Sequence, residues 1–238
     1  MQVAMERSSL PAMALILSLE SSVSACSVAL HREGQLLGIE ADASERSAAR
    51  SLALLTDRLL KRLDVGPDRL DAVAVAEGPG SYTGLRITSS TAKGLCFALG
   101  IPLIAVNSLL VLAEQVRGKD GVRFFVPMFD ARRMEVYTMV LDAHHHEVMP
   151  VRALVLEPSV FDDLLDQGPV LFFGDGATKV KGLIERAEVQ VLEGLAPDAG
   201  GMGRLAWERY CSGKFESVAD FEPRYLKEFM IGGKPVQG

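Results

Sequence analysis

Leu70 to Ile87, LDAVAVAEGPGSYTGLRI, changes character at its middle. Leu70 to Ala76 is an apolar, valine-rich run of strand length, and Thr83 onward takes helical spacing as far as Leu99, where Gly100 and Pro102 stop it. Strand, glycine loop and helix in that order make an α/β unit. The loop has the makings of an anion cradle. Gly78, Gly80 and Gly84 let backbone N–H groups come close to a ligand, Ser81 and Thr83 offer hydroxyls, and Arg86 sits in the first helical turn. It is not a P-loop, because no Gly-Lys-Ser/Thr closes it. The last glycine gap is one residue too long for a dinucleotide fingerprint. Pro79, two before Ser81, excludes a nucleophile elbow. A tight turn with a capped helix start explains the same residues, and spacing alone leaves both readings open.

Working outward, the same grammar appears twice. Leu15–Leu19, Ala25–Leu30 and Gln35–Ala41 read as strands, joined by turns at Glu20-Ser21-Ser22 and at His31 to Gly34. Glu45–Leu63 has helical spacing, with Ala48, Leu52, Leu55, Leu59 and Leu63 on one stripe and Ser44 as N-cap. After the strand, loop and helix already described come a strand at Leu103–Val106 and a helix at Ser108–Val116. The pattern then restarts. Arg123–Asp130, Glu135–Leu141 and Val148–Leu156 are strands, followed by helix Pro158–Asp166, strand Val170–Phe173, helix Ala177–Glu188, strand Val189–Leu192 and helix Pro197–Ser212. Each half therefore predicts a mixed sheet with packed helices. The expected division is a loose leader over 1–12, an N-terminal lobe over 13–117, a C-terminal lobe over 118–222 and a tail over 223–238.

The chain has 238 residues, 48% of them hydrophobic, and a net charge of −6. That charge argues against a broad nucleic-acid coat. Cys26, Cys96 and Cys211 lie far apart without metal-ligand spacing, and read as buried small hydrophobes in a reducing compartment. Leu10–Leu19 mimics a signal peptide, but Glu20 interrupts it and Glu6 beside Arg7 removes the positive leader. Met13 is a candidate start. No run is long enough to span a membrane. Among the four histidines, His144, His145 and His146 are consecutive on a turn and splay apart, while His31 falls in another turn. A hydrolytic triad has nothing to work with. Asp130 to Tyr137, DARRMEVY, is a tight hairpin with charges of both signs, suited to an acidic group or to solvent. Gly174-Asp175-Gly176 is a weaker glycine loop. The helix after the first loop is rich in small residues (Thr88, Ser89, Ser90, Thr91, Ala92, Gly94), a surface suited to close helix packing within the lobe or across a subunit boundary.

Several of these stretches resemble one family. LSLESS at Leu17–Ser22, ACSVAL at Ala25–Leu30 and, most specifically, GPGSYTGLRI resemble bacterial TsaB (YeaZ-type) proteins. Asp130-Ala131-Arg132 with Glu135-Val136-Tyr137, FGDG at Phe173–Gly176 and EPRYL at Glu222–Leu226 are similar to its later landmarks. The resemblance runs from about Met13 to Leu226. It implies two actin/ribonuclease-H-like lobes of the actin/hexokinase/Hsp70-like superfamily, and a cytoplasmic role in making threonylcarbamoyladenosine at position 37 of tRNAs that read codons beginning with A. It implies a non-catalytic subunit that pairs with the metal-bearing paralogue TsaD, works with the ATPase TsaE, meets tRNA indirectly and forms a homodimer in isolation. No tightly bound cofactor is implied, with nucleotide at a subunit interface left open. On this reading Leu52, Leu55, Leu59, Thr88, Thr91 and Ala92 face the partner. In kinase-like folds an acidic residue and hydroxyls at the Glu20-Ser21-Ser22 turn touch phosphate or its metal, but Glu20 stands where the family commonly has aspartate. The alternative is an active ATP-dependent phosphotransferase or ATPase that uses GPGSYTG as its cradle.

Overall fold

The computed structural model describes residues 13–23, 25–42, 48–226, 230–231 and 234–235. The leader over 1–12 and the Ser44 cap lie outside the described residues. Five strands form the first sheet: β1 (Leu15–Glu20), β2 (Cys26–Arg32), β3 (Gln35–Asp42), β4 (Ala72–Gly78) and β5 (Leu103–Asn107), in the order β3-β2-β1-β4-β5. Hairpin pairing makes β1, β2 and β3 antiparallel, while β4 and β5 add in parallel. Parallel addition needs a crossover, which helices α1 (Ala48–Arg62) and α2 (Tyr82–Leu99) supply. The second sheet repeats the order with β6 (Phe124–Asp130), β7 (Glu135–Asp142), β8 (Glu147–Val155), β9 (Val170–Phe173) and β10 (Val189–Leu192), as β10-β9-β6-β7-β8. The two mixed sheets confirm the α/β class and its internal repeat.

One face of the first sheet buries Leu17, Leu19, Val28, Val73 and Val75 against Leu52, Leu55 and Leu59 of α1 and against Ala92 and Cys96 of α2. The other face carries Ala14, Ile16, Ala72, Ala74, Ala76 and Ile104, and is covered by Met202, Ala206 and Tyr210. Those last residues belong to a short 3-10 turn at Ala199–Met202 and to the helix Gly203–Cys211. Among the described residues, the first compact unit therefore comprises those up to Val111 together with Asp198–Arg224, and the second comprises Leu112–Pro197 with those from Tyr225 on. This corrects the expected division at 117/118 and the placing of the last helix in the C-terminal lobe. A sheet whose two faces are both apolar needs both covered, and the second cover comes from the far end of the sequence. His31 is also corrected. It lies in β2, fully buried, with Nδ1 3.1 Å from the Ser18 hydroxyl and Nε2 3.2 Å from the Gly200 carbonyl.

In the second unit the helices are shorter than the periodicity predicts. Pro158–Asp166 yields only α4 (Asp162–Leu165), and Ala177–Glu188 yields a 3-10 turn at Asp175–Val180. Gly182 at φ +72° takes the left-handed conformation that ends a helix. With α3 (Ser108–Glu114), α5 (Gly203–Cys211) and a 3-10 turn at Pro67–Arg69 the helical set of the described residues is complete. Among them no helix is long and apolar enough to cross a membrane.

Candidate functional site

Glu20, Ser21 and Ser22 stand at the C-terminal end of β1, and the glycine loop stands at the C-terminal end of its parallel neighbour β4. Strand ends of this kind are where open α/β sheets bind ligands. The structure does bring the two segments together, but their own backbones fill the space. A Cβ on Gly80 would lie 2.7 Å from the Ser22 Cβ, and one on Gly84 would fall on the Ser21 carbonyl oxygen. A Cβ on Gly78, at φ +107°, would lie 2.6 Å from the Arg224 carbonyl oxygen. The Ser81 amide donates to the Ser22 carbonyl at 2.7 Å, and the Arg224 amide donates to the Glu77 carbonyl at 2.7 Å. All three glycines are thus needed for close approach of chain to chain. Ser81 is the N-cap of α2, its hydroxyl accepting from the Gly84 amide at 3.2 Å. Thr83 and Arg86 are exposed, and the Arg86 guanidinium lies over the Tyr82 ring at 4.5 Å, not in the Glu20 turn.

Glu20 is fully buried. Its Oε1 accepts from the Ser22 amide at 2.5 Å, and among the described residues its Oε2 and the nearby Ser22 hydroxyl have no hydrogen-bond partner. Burial pushes its carboxyl up to about 7, with the nearby Ser22 hydroxyl and amide opposing the rise and the Asp198 carboxylate adding to it. Glu77, also buried, is raised by burial against the pull of Arg224, whose Nε lies 3.4 Å from its carboxylate.

The residues expected to face a partner are mostly internal. Leu52 and Leu59 are 0% exposed and Leu55 3%, all in the unit's own core, and Thr88 and Ala92 are also 0% exposed. The amphipathic stripe of α1 faces its own sheet, which is the commoner use of such a stripe. Thr88, Ser89 and Thr91 turn their hydroxyls onto the carbonyls of Gly84, Leu85 and Ile87 in their own helix. The face of α2 that no other element among the described residues covers holds Thr83, Arg86, Ser90, Gly94, Phe97 and Ala98. Phe97 is 85% exposed, and a Cβ on Gly94 would meet nothing within 4 Å. Sequence reading passed over Phe97, although it lies about 140° from Ala92 on the helical wheel, outside the buried stripe, where an amphipathic helix is normally polar.

In the second unit, the β6–β7 hairpin is held from below. The Asp130 carboxylate accepts from the Arg132 amide at 2.6 Å and from Lys179 Nζ at 2.5 Å, while the Asp130 amide donates to Asp175 Oδ1 at 3.0 Å. Burial raises the Asp175 carboxyl, whereas Lys179 and the Arg132 amide outweigh burial and lower that of Asp130. Arg132 and Arg133 take φ values of +70° and +50°. Each such left-handed L-residue costs about 1–2 kcal/mol. His145 turns inward onto Phe125 at 4.7 Å between ring centroids, away from His144 and His146, whose ring centroids are 6.0 Å apart. Among the described residues no three His, Cys, Asp or Glu side chains gather as a metal site.

A family model described as "TsaD: tRNA N6-adenosine threonylcarbamoyltransferase" matches residues 23–153. The chain is 32% identical over 218 residues to the Bacillus subtilis tRNA threonylcarbamoyladenosine biosynthesis protein TsaB, covering 89% of this chain and 93% of that protein. The Escherichia coli protein of the same name is 28% identical, covering 89% and 94%. The structure of YeaZ from Pseudomonas aeruginosa superposes with a TM-score of 0.75 at 30% identity, covering 90% of this chain and 100% of that one.

Proposed function

As the chain belongs to the TsaB family of tRNA threonylcarbamoyladenosine biosynthesis proteins, we propose that it is the non-catalytic subunit of the cytoplasmic step that transfers threonylcarbamoyl to adenosine 37 of tRNA. On this proposal it acts by pairing with TsaD, together with TsaE, and pairs with itself when TsaD is absent. The observation that carries the reading is the outer face of α2. Phe97 at 85% exposure beside Gly94, with open space above its Cα, is a large apolar side chain next to a flat backbone. An exposed aromatic beside a small residue is what a packed helix–helix interface uses as anchor and groove. The anchors of the proposal are therefore Phe97 and Leu54, which is 46% exposed on α1, and not Leu52, Leu55 and Leu59.

The alternative, an active phosphotransferase, asks the glycine loop to wrap phosphates. The closure of Gly78, Gly80 and Gly84 on Arg224, Ser22 and Ser21 argues against that use. Metal-phosphate chemistry also needs an ionised carboxylate at Glu20, which its enclosure opposes. Any nucleotide in the assembly belongs, on this proposal, to a subunit interface. Reconstitution tests the reading. Unmodified tRNA incubated with TsaD, TsaE, ATP and preformed threonylcarbamoyl-adenylate should gain the modification only when this chain is added. Equal modification without it would remove the proposed role. ATP turnover by the isolated chain with Mg²⁺ would favour the alternative.

A further inference from the structure

The β6–β7 hairpin presents Arg132, Arg133 and Met134 side by side to solvent, Met134 being 43% exposed. Neither guanidinium has a carboxylate within ion-pair distance among the described residues, unlike those of Arg62, Arg117, Arg186, Arg204 and Arg224; Arg32, Arg58, Arg69, Arg86, Arg123, Arg152 and Arg209 share that state, and what sets the pair apart is that they are adjacent at one hairpin tip. Both arginines hold the left-handed backbone that glycine or asparagine adopts at little cost. The tip is not loose. Its base is fixed by Asp130, Lys179 and Asp175, by Lys179 Nζ on the Glu135 carbonyl at 2.9 Å, and by the Leu156 amide on the Met134 carbonyl at 2.7 Å. Lys179 and Asp130 neutralise each other, and the exposed charges at the tip itself are the two arginines, with Glu135 half-buried at its base. Strained residues persist where the surroundings over-determine them, and such positions cluster at sites of recognition. Two pre-positioned guanidinium forks suit phosphate oxygens, which they bond in bidentate fashion. An open tip of three exposed residues lacks the concave wall that a mononucleotide needs but can lie along an extended phosphate backbone.

We propose that the Arg132–Arg133 hairpin tip contacts the phosphate backbone of the substrate RNA. The proposal rests on the tRNA-modification reading above, and makes this subunit's contact with tRNA direct where the sequence reading had it indirect. The decisive variant is Arg132→Asn with Arg133→Gly, which supplies residues that suit the left-handed backbone. Thermal melting should show it at least as stable as wild type, with Tm raised by about 2–4 °C, so that lost binding is not lost folding. Binding of an unmodified, fluorescently labelled tRNA transcript should weaken about tenfold, both for the complex with TsaD and for the chain alone. The slope of log affinity against log salt should fall by about 1–2, as for two lost phosphate contacts. Arg132→Lys with Arg133→Lys, which keeps the charge, should recover most of the salt slope. Unchanged affinity and slope in the Asn-Gly variant would overturn the proposal, as would a variant whose only defect is in TsaD association or in ATP binding. The wild-type reconstitution stands apart: if the chain supports modification while the variant binds tRNA normally, the hairpin inference alone fails.

Discussion

Glu20 ends β1 with its carboxyl fully enclosed, one oxygen held by the Ser22 amide and the other without a hydrogen bond among the described residues. Enclosure disfavours the charged form, so the folded chain keeps the proton up to about pH 7 while an unfolded glutamic acid releases it near 4.5. The sign follows from proton counting. Between those two values the folded state binds more protons than the unfolded one, so stability falls as pH rises through the window. The penalty is absent below the window and complete above it, at most about 3 kcal/mol. Glu20→Gln keeps an acceptor for the Ser22 amide and cannot ionise. Its melting temperature should match wild type near the acid end of the window and exceed it above pH 7; parallel curves across the window would show that enclosure of this carboxyl has no bearing on stability. Sequence reading marked the three glycines from local chemistry and Glu20 from the likeness to kinase-like folds. It had no access to what they touch, because the Gly78 partner, Arg224, lies at the other end of the chain.

At the scale of the element, α1 and α2 were legible as helices and misread as surfaces. Both faces of an amphipathic helix are visible in a sequence, but the apolar face is claimed first by the sheet it crosses. Leu52, Leu55 and Leu59 are therefore core residues, and the partner-facing candidates are the apolar groups left on the outer side. Two substitutions separate the roles. Leu59→Ala should destabilise the isolated chain by about 2–5 kcal/mol through the cavity it leaves, read as a lowered denaturation midpoint. Phe97→Asp should leave that midpoint within about 0.5 kcal/mol of wild type yet abolish co-purification with TsaD and self-association in sedimentation. Retained association in a folded Phe97→Asp protein would take the outer face of α2 out of the interface. The second-unit helices were over-read for a related reason. Periodicity counts apolar residues, whereas Gly182 at φ +72° ends the turn they would have formed.

Over the whole molecule, the repeated succession of strands and helices was the most legible property and the division into units the least. Three hairpin-linked strands followed by two crossovers are compatible with the order 3-2-1-4-5, which the structure shows in both sheets. Nothing in that grammar says which sheet a late helix joins. Ala14, Ile16, Ala72, Ala74 and Ala76 make a face of small residues, and α5 lays Ala206 and Tyr210 on it, with Trp207 stacked on Tyr210 at 5.8 Å between ring centroids. A further tie runs from the Glu216 amide to the Leu103 carbonyl at 2.9 Å, and Lys93 Nζ bonds the carbonyls of Ala219 and Phe221. The first unit thus depends on chain made last. A fragment of residues 13–117 leaves an apolar sheet face uncovered and should be aggregated or unfolded by circular dichroism and sedimentation. Joining 13–111 to 198–224 through a flexible linker should restore a monomeric or dimeric species with a cooperative melt. A cooperative melt from 13–117 alone would mean that the returning helix is an accessory to the first sheet and not one of its walls.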